Sequence, residues 1–461
     1  MRSIRFASIV RRFKTQHFGK KCIVNPSYNA NKQVAHVNVG TRRGIVIFSL
    51  LFAGEAVFTL PFHIARYFRP TFVEVLDISQ TQLGELFATY GIVAMLSYLL
   101  GGGLADRFSA RKLLVFSLVA TASAGFFLAT IPPLGELRWL YAFWGASTIL
   151  PFWSALLRTT REWGGADQQG KAFGILEGGR GIIAAILASL ALWLMSTQLP
   201  LADSESQATM LQRTVALRST ILFYTGTTLL AAIFVWFFLP ESQRPVATTR
   251  TTYFSVRFSN LEQVIRMRAV WLHGAVIMAA YSAYKGFGFF SQFAYHVWGW
   301  SEIHSAQLST TTAWIRPVAA ISAGLLADRW RSSRVIMVAF LLTGAGFSVL
   351  PWISPGDAKA WLLWMNISIV CVGIFALRGI YFALLEEEQI PRSITGTAIG
   401  VVSFVGFIPE IVIHYLGGRL IDHWAGELTG YLVFFTLLGC GCLIGLAAAY
   451  PISAADHKQS T

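Results

Sequence analysis

The stretch "GGGLADRFSARK", Gly101–Lys112, closes one long apolar run, and a near-copy, "AGLLADRWRSSR", Ala323–Arg334, closes another. Both contain Leu-Ala-Asp-Arg followed by an aromatic residue. A glycine-led turn lets two helices reverse with their backbones close together. The Arg and Lys that follow are charges held out of lipid. A weaker echo pairs "GKAFG" at 170–174 with "GTAIG" at 396–400, at nearly the same offset and in the same order. Two markers repeated in one order argue for an internal duplication.

Composition says what kind of duplication. The 461 residues are 54% hydrophobic and only 13% charged, where a soluble domain carries about a quarter charged residues. A membrane-crossing helix needs about 20 mostly apolar residues to cover about 30 Å of hydrocarbon. Runs of that length fall at 44–66, 81–103, 113–131, 138–159, 172–195, 219–239, 270–297, 306–327, 335–353, 360–385, 396–416 and 430–450. The expected fold is an all-α membrane protein of twelve transmembrane helices in two pseudo-symmetric six-helix halves. The expected organisation is a basic tail at 1–43, a first half at 44–239, a linker at 240–269, a second half at 270–450 and a tail at 451–461. The repeated string then follows span two and span eight, the second span of each half.

The net charge of +14 is unevenly placed. Arg and Lys concentrate in the tail, the 104–112 turn, the Arg161–Lys171 connection, the linker and the 328–334 turn, while the alternate connections are poor in them. The positive-inside rule puts both termini and the linker in the cytoplasm. The acidic run Glu386–Glu388 carries little weight in that rule. Residues 1–43 hold no Asp or Glu and read as a solvated tail, with an amphipathic surface segment or an organellar presequence as alternatives. Their scattered aromatics form no nucleic-acid reader. Cys22, Cys371, Cys440 and Cys442 make no metal constellation or disulfide framework. No nucleophile–base pair or metal-ligand spacing points to an enzyme, and no cofactor or metal is expected.

The two strings resemble the loop signature of the major facilitator superfamily, Gly-x-Leu-Ala-Asp-Arg-x-Gly-Arg-Arg/Lys. Gly102, Leu104, Ala105, Asp106, Arg107, Arg111 and Lys112 match in the first copy, and Gly324, Leu326, Ala327, Asp328, Arg329 and Arg334 in the second. Ser109 and Ser332 replace the later glycine. The 155–181 connection is also similar to that of poorly characterised bacterial inner-membrane members, which makes that membrane the expected location. The resemblance implies a monomeric carrier with its site between the halves. It also implies a cytoplasmic gate at Gly102, Asp106, Arg107 and Arg111, with a weaker copy at Asp328 and Arg329. Two signatures of proton-driven members are missing. Tyr141 stands where an Arg would precede Gly145, and span five lacks a Gly-Pro pair.

Charge inside the spans narrows the function. Ionisable residues are costly at membrane depth and usually face a cavity or a partner. Here they are Glu55 in span one, Glu177 and Arg180 in span five, Lys285 in span seven, Arg316 in span eight, Arg378 in span ten and Glu410 in span eleven. Spans three, six, nine and twelve hold none within the bounds above. Glu177 and Arg180 sit i, i+3 and can pair. Tyr281, Lys285 and Gln292 share a helix face. Pro317 should kink span eight beside Arg316. His414, one turn after Glu410, can share its proton, and Trp314 can stack on a substrate.

Lys285, Arg316, Arg180 and Arg378 are thus expected to hold substrate together with Tyr281, Gln292 and Trp314. Glu55, Glu410, Glu177 and His414 are the proton-coupling candidates. The cations outnumber the carboxylates, and a buried cation surplus calls for an anion. The expected activity is secondary transport of a small organic anion (a sugar acid, carboxylate or phosphorylated metabolite) with protons or by exchange. The alternatives are proton-driven efflux of amphiphilic compounds, or a receptor that keeps the carrier fold without flux.

Overall fold

The computed structural model describes residues 43–164, 169–199, 208–241, 258–353, 355, 359–384 and 395–457. The chain divides into Met1–Ile45, of which residues 43–45 are described, and Val46–Thr461, which holds everything below. The linker residues 242–257 lie outside the described set.

Among the described residues the regular structure is helical and follows twelve spans. Seven helices are individually long and apolar enough to cross a membrane, and a pair bent by 40° in span one makes an eighth. The other four are spans two, four, seven and eight. Span two, Gln80–Arg107, is unbroken but more polar. Span four divides into Leu134–Ser147 and Trp153–Gly164 around Pro151. Span seven is Arg268–Gly286, a short 3-10 turn and Phe290–His296. Span eight divides into Glu302–Ala313 and Ile315–Trp330.

The breaks have sequence causes. Pro317 has no N–H for the carbonyl of Ala313, so the α-helix stops there and restarts at Ile315. The same deficit explains the π-turn Thr59–His63 around Pro61 and the restart of span eleven at Pro409. Spans one, eight and eleven are thereby interrupted near mid-depth, span seven breaks at Phe287–Phe289 without a proline, and all four carry the expected buried charges. Non-helical backbone is tolerated at that depth only where it faces protein or a cavity.

Element ends differ from the expectation in places. Span six begins at Met210, earlier than 219, because Thr209 and Gln212 form a capping box there. Span two starts on the same motif, with Ser79 and Gln82. The hydropathy signal stopped short because Arg213 and Arg218 lie in the added turns. Arg213 is neutralised by carboxylates and Arg218 donates to the Ala129 carbonyl, 2.8 Å. Span twelve continues to His457, so the expected tail at 451–461 starts inside a helix.

The two halves meet closely where span two crosses the second part of span eleven, Pro409–His423. A Cβ on Gly84 would lie 2.5 Å from the Tyr415 Cα, and one on Gly418 2.1 Å from the Gln80 carbonyl. Only glycine permits that approach. The opposite surfaces are apolar and exposed, with Phe116, Trp193, Phe237, Trp352, Leu443 and Ile444 among them, as a lipid-facing perimeter requires.

Candidate functional site

Two ionic clusters sit between the halves. In the first, Glu55 lies in the last turn of the first α-helix of span one, Arg43–Ala56, just before its break, and is almost fully buried. It meets Arg180 of span five (Nε–Oε2, 3.2 Å), Arg316 of span eight (Nη1–Oε1, 3.4 Å) and His63 (Nε2–Oε1, 3.2 Å). Glu177 binds Arg180 through Nη1 at 2.7 Å and lies 3.8 Å from Arg316 Nη2. Two guanidiniums and two carboxylates therefore alternate around a square, with Arg316 the member from the second half. A Cβ on Gly54 would lie 3.2 Å from the Arg180 stem, so a larger residue would press on the square. Arg180 also lies over the rings of Phe58 and Trp153, at 5.6 and 5.9 Å.

The second cluster is Lys285 with Glu410, Nζ–Oε1 2.5 Å, in spans seven and eleven. The Tyr281 hydroxyl donates to the other oxygen of Glu410. The ammonium lies 4.9 Å from the centre of the Phe62 ring of span one and 5.0 Å from that of Tyr281. Every expected in-span carboxylate is thus committed to a cation. Arg378 has no described carboxylate partner. Its guanidinium lies 4.1 Å over the Tyr284 ring, and its Nη1 is buried without a hydrogen bond among the described residues. Arg66 shares that ring at 5.0 Å.

Other expected site residues lie elsewhere. The break at Gly286–Phe289 takes Gln292 out of line with Lys285, and its amide meets His296 at 2.8 Å. Trp314 donates to Ser189 Oγ across the halves, 3.1 Å. His414 makes no bond to Glu410; its ring stacks on Phe87 at 4.2 Å and Phe289 at 5.7 Å, and its Nδ1 has no partner among the described residues. The side chains of Gly102, Asp106 and Arg107 lie outside the described set. Arg111 pairs with Glu241 at 2.8 Å, tying the start of span three to the end of span six. Asp328 and Arg329 are exposed.

A polar clamp went unread in the sequence. At the end of the bundle away from the basic turns, Glu302 accepts from Arg213 Nε (2.5 Å) and Thr71 Oγ1 (2.8 Å). Arg213 also pairs with Glu74 at 3.0 Å, and the Tyr295 hydroxyl donates to Glu74 at 2.7 Å. Asp422 accepts from the Gln80 and Thr81 amides, 3.1 and 2.6 Å, at the start of span two. Arg69 is fully buried nearby; it donates to Gln80 Oε1 at 2.7 Å and lies 4.0 Å over the Phe289 ring. Each group joins one half to the other. The signal available in the sequence was the Arg66-x-x-Arg69-Pro70 spacing, in which a proline at the second helical position starts a new buried helix, Arg69–Val75.

Among the described residues no group of three or more His, Cys, Asp or Glu could hold a metal ion.

A family model for the Major Facilitator Superfamily matches residues 44–413. In Escherichia coli (strain K12), the inner membrane protein YqcE is 25% identical over 392 residues, covering 84% of this chain and 88% of YqcE. The inner membrane protein YihN of the same organism is 23% identical over 421 residues, covering 88% and 94%. Among solved structures, a variant of the nucleoside transporter NupG matches with a TM-score of 0.67 at 14% identity, over 89% of this chain and 99% of that one. At that identity the likeness shows the fold alone.

Proposed function

Because the chain belongs to the Major Facilitator Superfamily, we propose that it is a secondary active carrier moving a small organic anion by alternating access, with protons or by exchange. The observation that carries this reading is the charge at the interface of the halves. Glu55, Glu177 and Glu410 are all engaged, and cations remain over. Taking an unpaired cation out of water costs several kcal/mol, and an anion bound there removes that cost. Arg offers carboxylate or phosphate a planar fork.

The Lys285–Glu410 pair supplies a route to coupling. An anion that takes over Lys285 leaves Glu410 in low dielectric without its counter-ion, where a carboxyl favours its neutral form. Anion and proton then enter the same occupied state. In the orientation set by the basic loops, with both termini cytoplasmic, the Glu302 clamp lies on the outer side. The structure then has its outer end closed. Release of the clamp and closure at the Asp106 turn would expose the charged site on the other face. The bacterial inner membrane, the 240–269 linker between halves and a monomeric state complete the proposal.

Replacing Lys285 or Arg316 by Gln should abolish anion flux in proteoliposomes while folded protein stays in the membrane. Normal anion flux in both variants would overturn the reading. Flux of amphiphilic compounds that survives both changes would favour efflux, and ligand binding without flux a receptor.

A further inference from the structure

Two charge clusters between the halves are neutral within themselves, although Glu177 of the first is exposed, and the remainder is specific. The square of Glu55, Glu177, Arg180 and Arg316 balances, as does Lys285 with Glu410. Three cations are left over: Arg69, held in the clamp by Gln80 Oε1 and the Phe289 ring, and Arg66 of span one and Arg378 of span ten, one from each half, which share the Tyr284 ring. Neither of the last two has a carboxylate within salt-bridge distance among the described residues. Both lie over Tyr284, at 5.0 and 4.1 Å from its centre. Their guanidinium carbons are therefore no more than about 9 Å apart, a span that one oxyanion accepting from two forks can bridge. The Arg378 Nη1 group is buried with no hydrogen-bond partner among the described residues, an expensive state for a charged donor. A ring face compensates a cation only in part.

We propose that Arg66 and Arg378 together form the receptor for a doubly charged tetrahedral oxyanion, a phosphate group free or carried on a small organic body, with Tyr284 as its floor. The inference rests on the anion-carrier reading and adds the charge and shape of the anion. The two cations that share the Tyr284 ring call for two negative charges there, and a monocarboxylate would leave one of them unanswered. A tetrahedral dianion presents oxygens to both guanidiniums at once. Because the two arginines belong to different halves, the ligand also ties the halves together at the depth of the site. A bound anion would thus bias the equilibrium between carrier states through contacts on both sides. Arg66 gains a role that the apolar-run reading, which ended span one at residue 66, left unassigned.

The test uses the purified full-length chain in detergent, titrated calorimetrically with inorganic phosphate, sulfate, malonate and acetate. Phosphate and sulfate should bind at least tenfold more tightly than acetate. Arg66→Gln and Arg378→Gln should each weaken phosphate binding tenfold or more. The Lys substitutions, which keep the charge and guard against a folding artefact, should weaken it less. Arg419→Gln, which removes an exposed cation of span eleven, should leave it within about twofold. If acetate binds as tightly as phosphate, the anion reading stands and the dianion receptor falls. If phosphate binds and both Gln variants retain it, the receptor is elsewhere. If none of the four anions binds, the anion reading falls as well.

Discussion

Replacing Glu410 by Gln isolates the energetics of the second cluster. The Lys285 side chain is 2% exposed, and its charge is answered by one carboxylate at 2.5 Å. Removing one partner of a buried pair typically costs about 3–5 kcal/mol, because the other charge stays buried. The ring contacts of Phe62 and Tyr281 are already made in the wild type and add nothing new. The Gln carbonyl can still accept from Lys285, and a hydrogen bond to a charged donor recovers about 1.5–3 kcal/mol of gross interaction. The net loss should be about 2 kcal/mol, roughly a thirtyfold change in the folding equilibrium. Lys285→Met should cost a similar amount by stranding Glu410. The double variant should cost much less than the two together, with a coupling energy of about 2 kcal/mol in a double-mutant cycle. Unfolding in mixed micelles, followed by tryptophan fluorescence, gives the four stabilities. Additive single effects, with coupling below about 0.5 kcal/mol, would refute the buried-pair argument.

Further outcomes follow from other parts of the structure. Glu302→Gln removes a charged acceptor shared by Arg213 and Thr71, and should weaken the clamped state by about 1–2 kcal/mol, a five- to thirtyfold shift in population. Spin labels at the exposed positions Asp77→Cys and Glu427→Cys, one on each half at the clamp end, should then report a new long-distance component; an unchanged distribution counts against the clamp. Glu410→Gln should also leave residual flux indifferent to an imposed pH gradient, and a retained proton requirement would move coupling to Glu55. Gly84→Val should block the close approach to Tyr415 and lower both thermal stability and flux, and a variant with wild-type melting would contradict the packing.

Hydropathy and the doubled Leu-Ala-Asp-Arg string carried the architecture: the spans, their pairing into halves and the family. The buried charges were also legible, because a charge in an apolar run stands out whatever the helix does. Partners across the interface were not. Which cation meets Glu55 or Glu410 depends on how spans one, five, seven, eight and eleven face each other, and the sequence records periodicity along each helix, not rotation between helices. Gln292 shows the cost of assuming a straight helix, since the turn at Phe287–Phe289 takes it to His296. Arg66 and Arg69 were hidden for the opposite reason, as the chain turns at Phe68 and continues buried where hydropathy marks an exit. The clamp residues looked like ordinary loop polarity because their partners lie far away in sequence.

Ligand-induced stabilisation of the purified carrier, measured against small organic anions paired with their neutral amides or esters, tests most directly whether the cation surplus between the halves selects the cargo. The expected result is a rise in melting temperature with one or more anions, none with the matched neutral compounds, and loss of the rise in Lys285→Gln and Arg378→Gln. Equal stabilisation by an anion and its neutral analogue, or by amphiphilic cations alone, would contradict it.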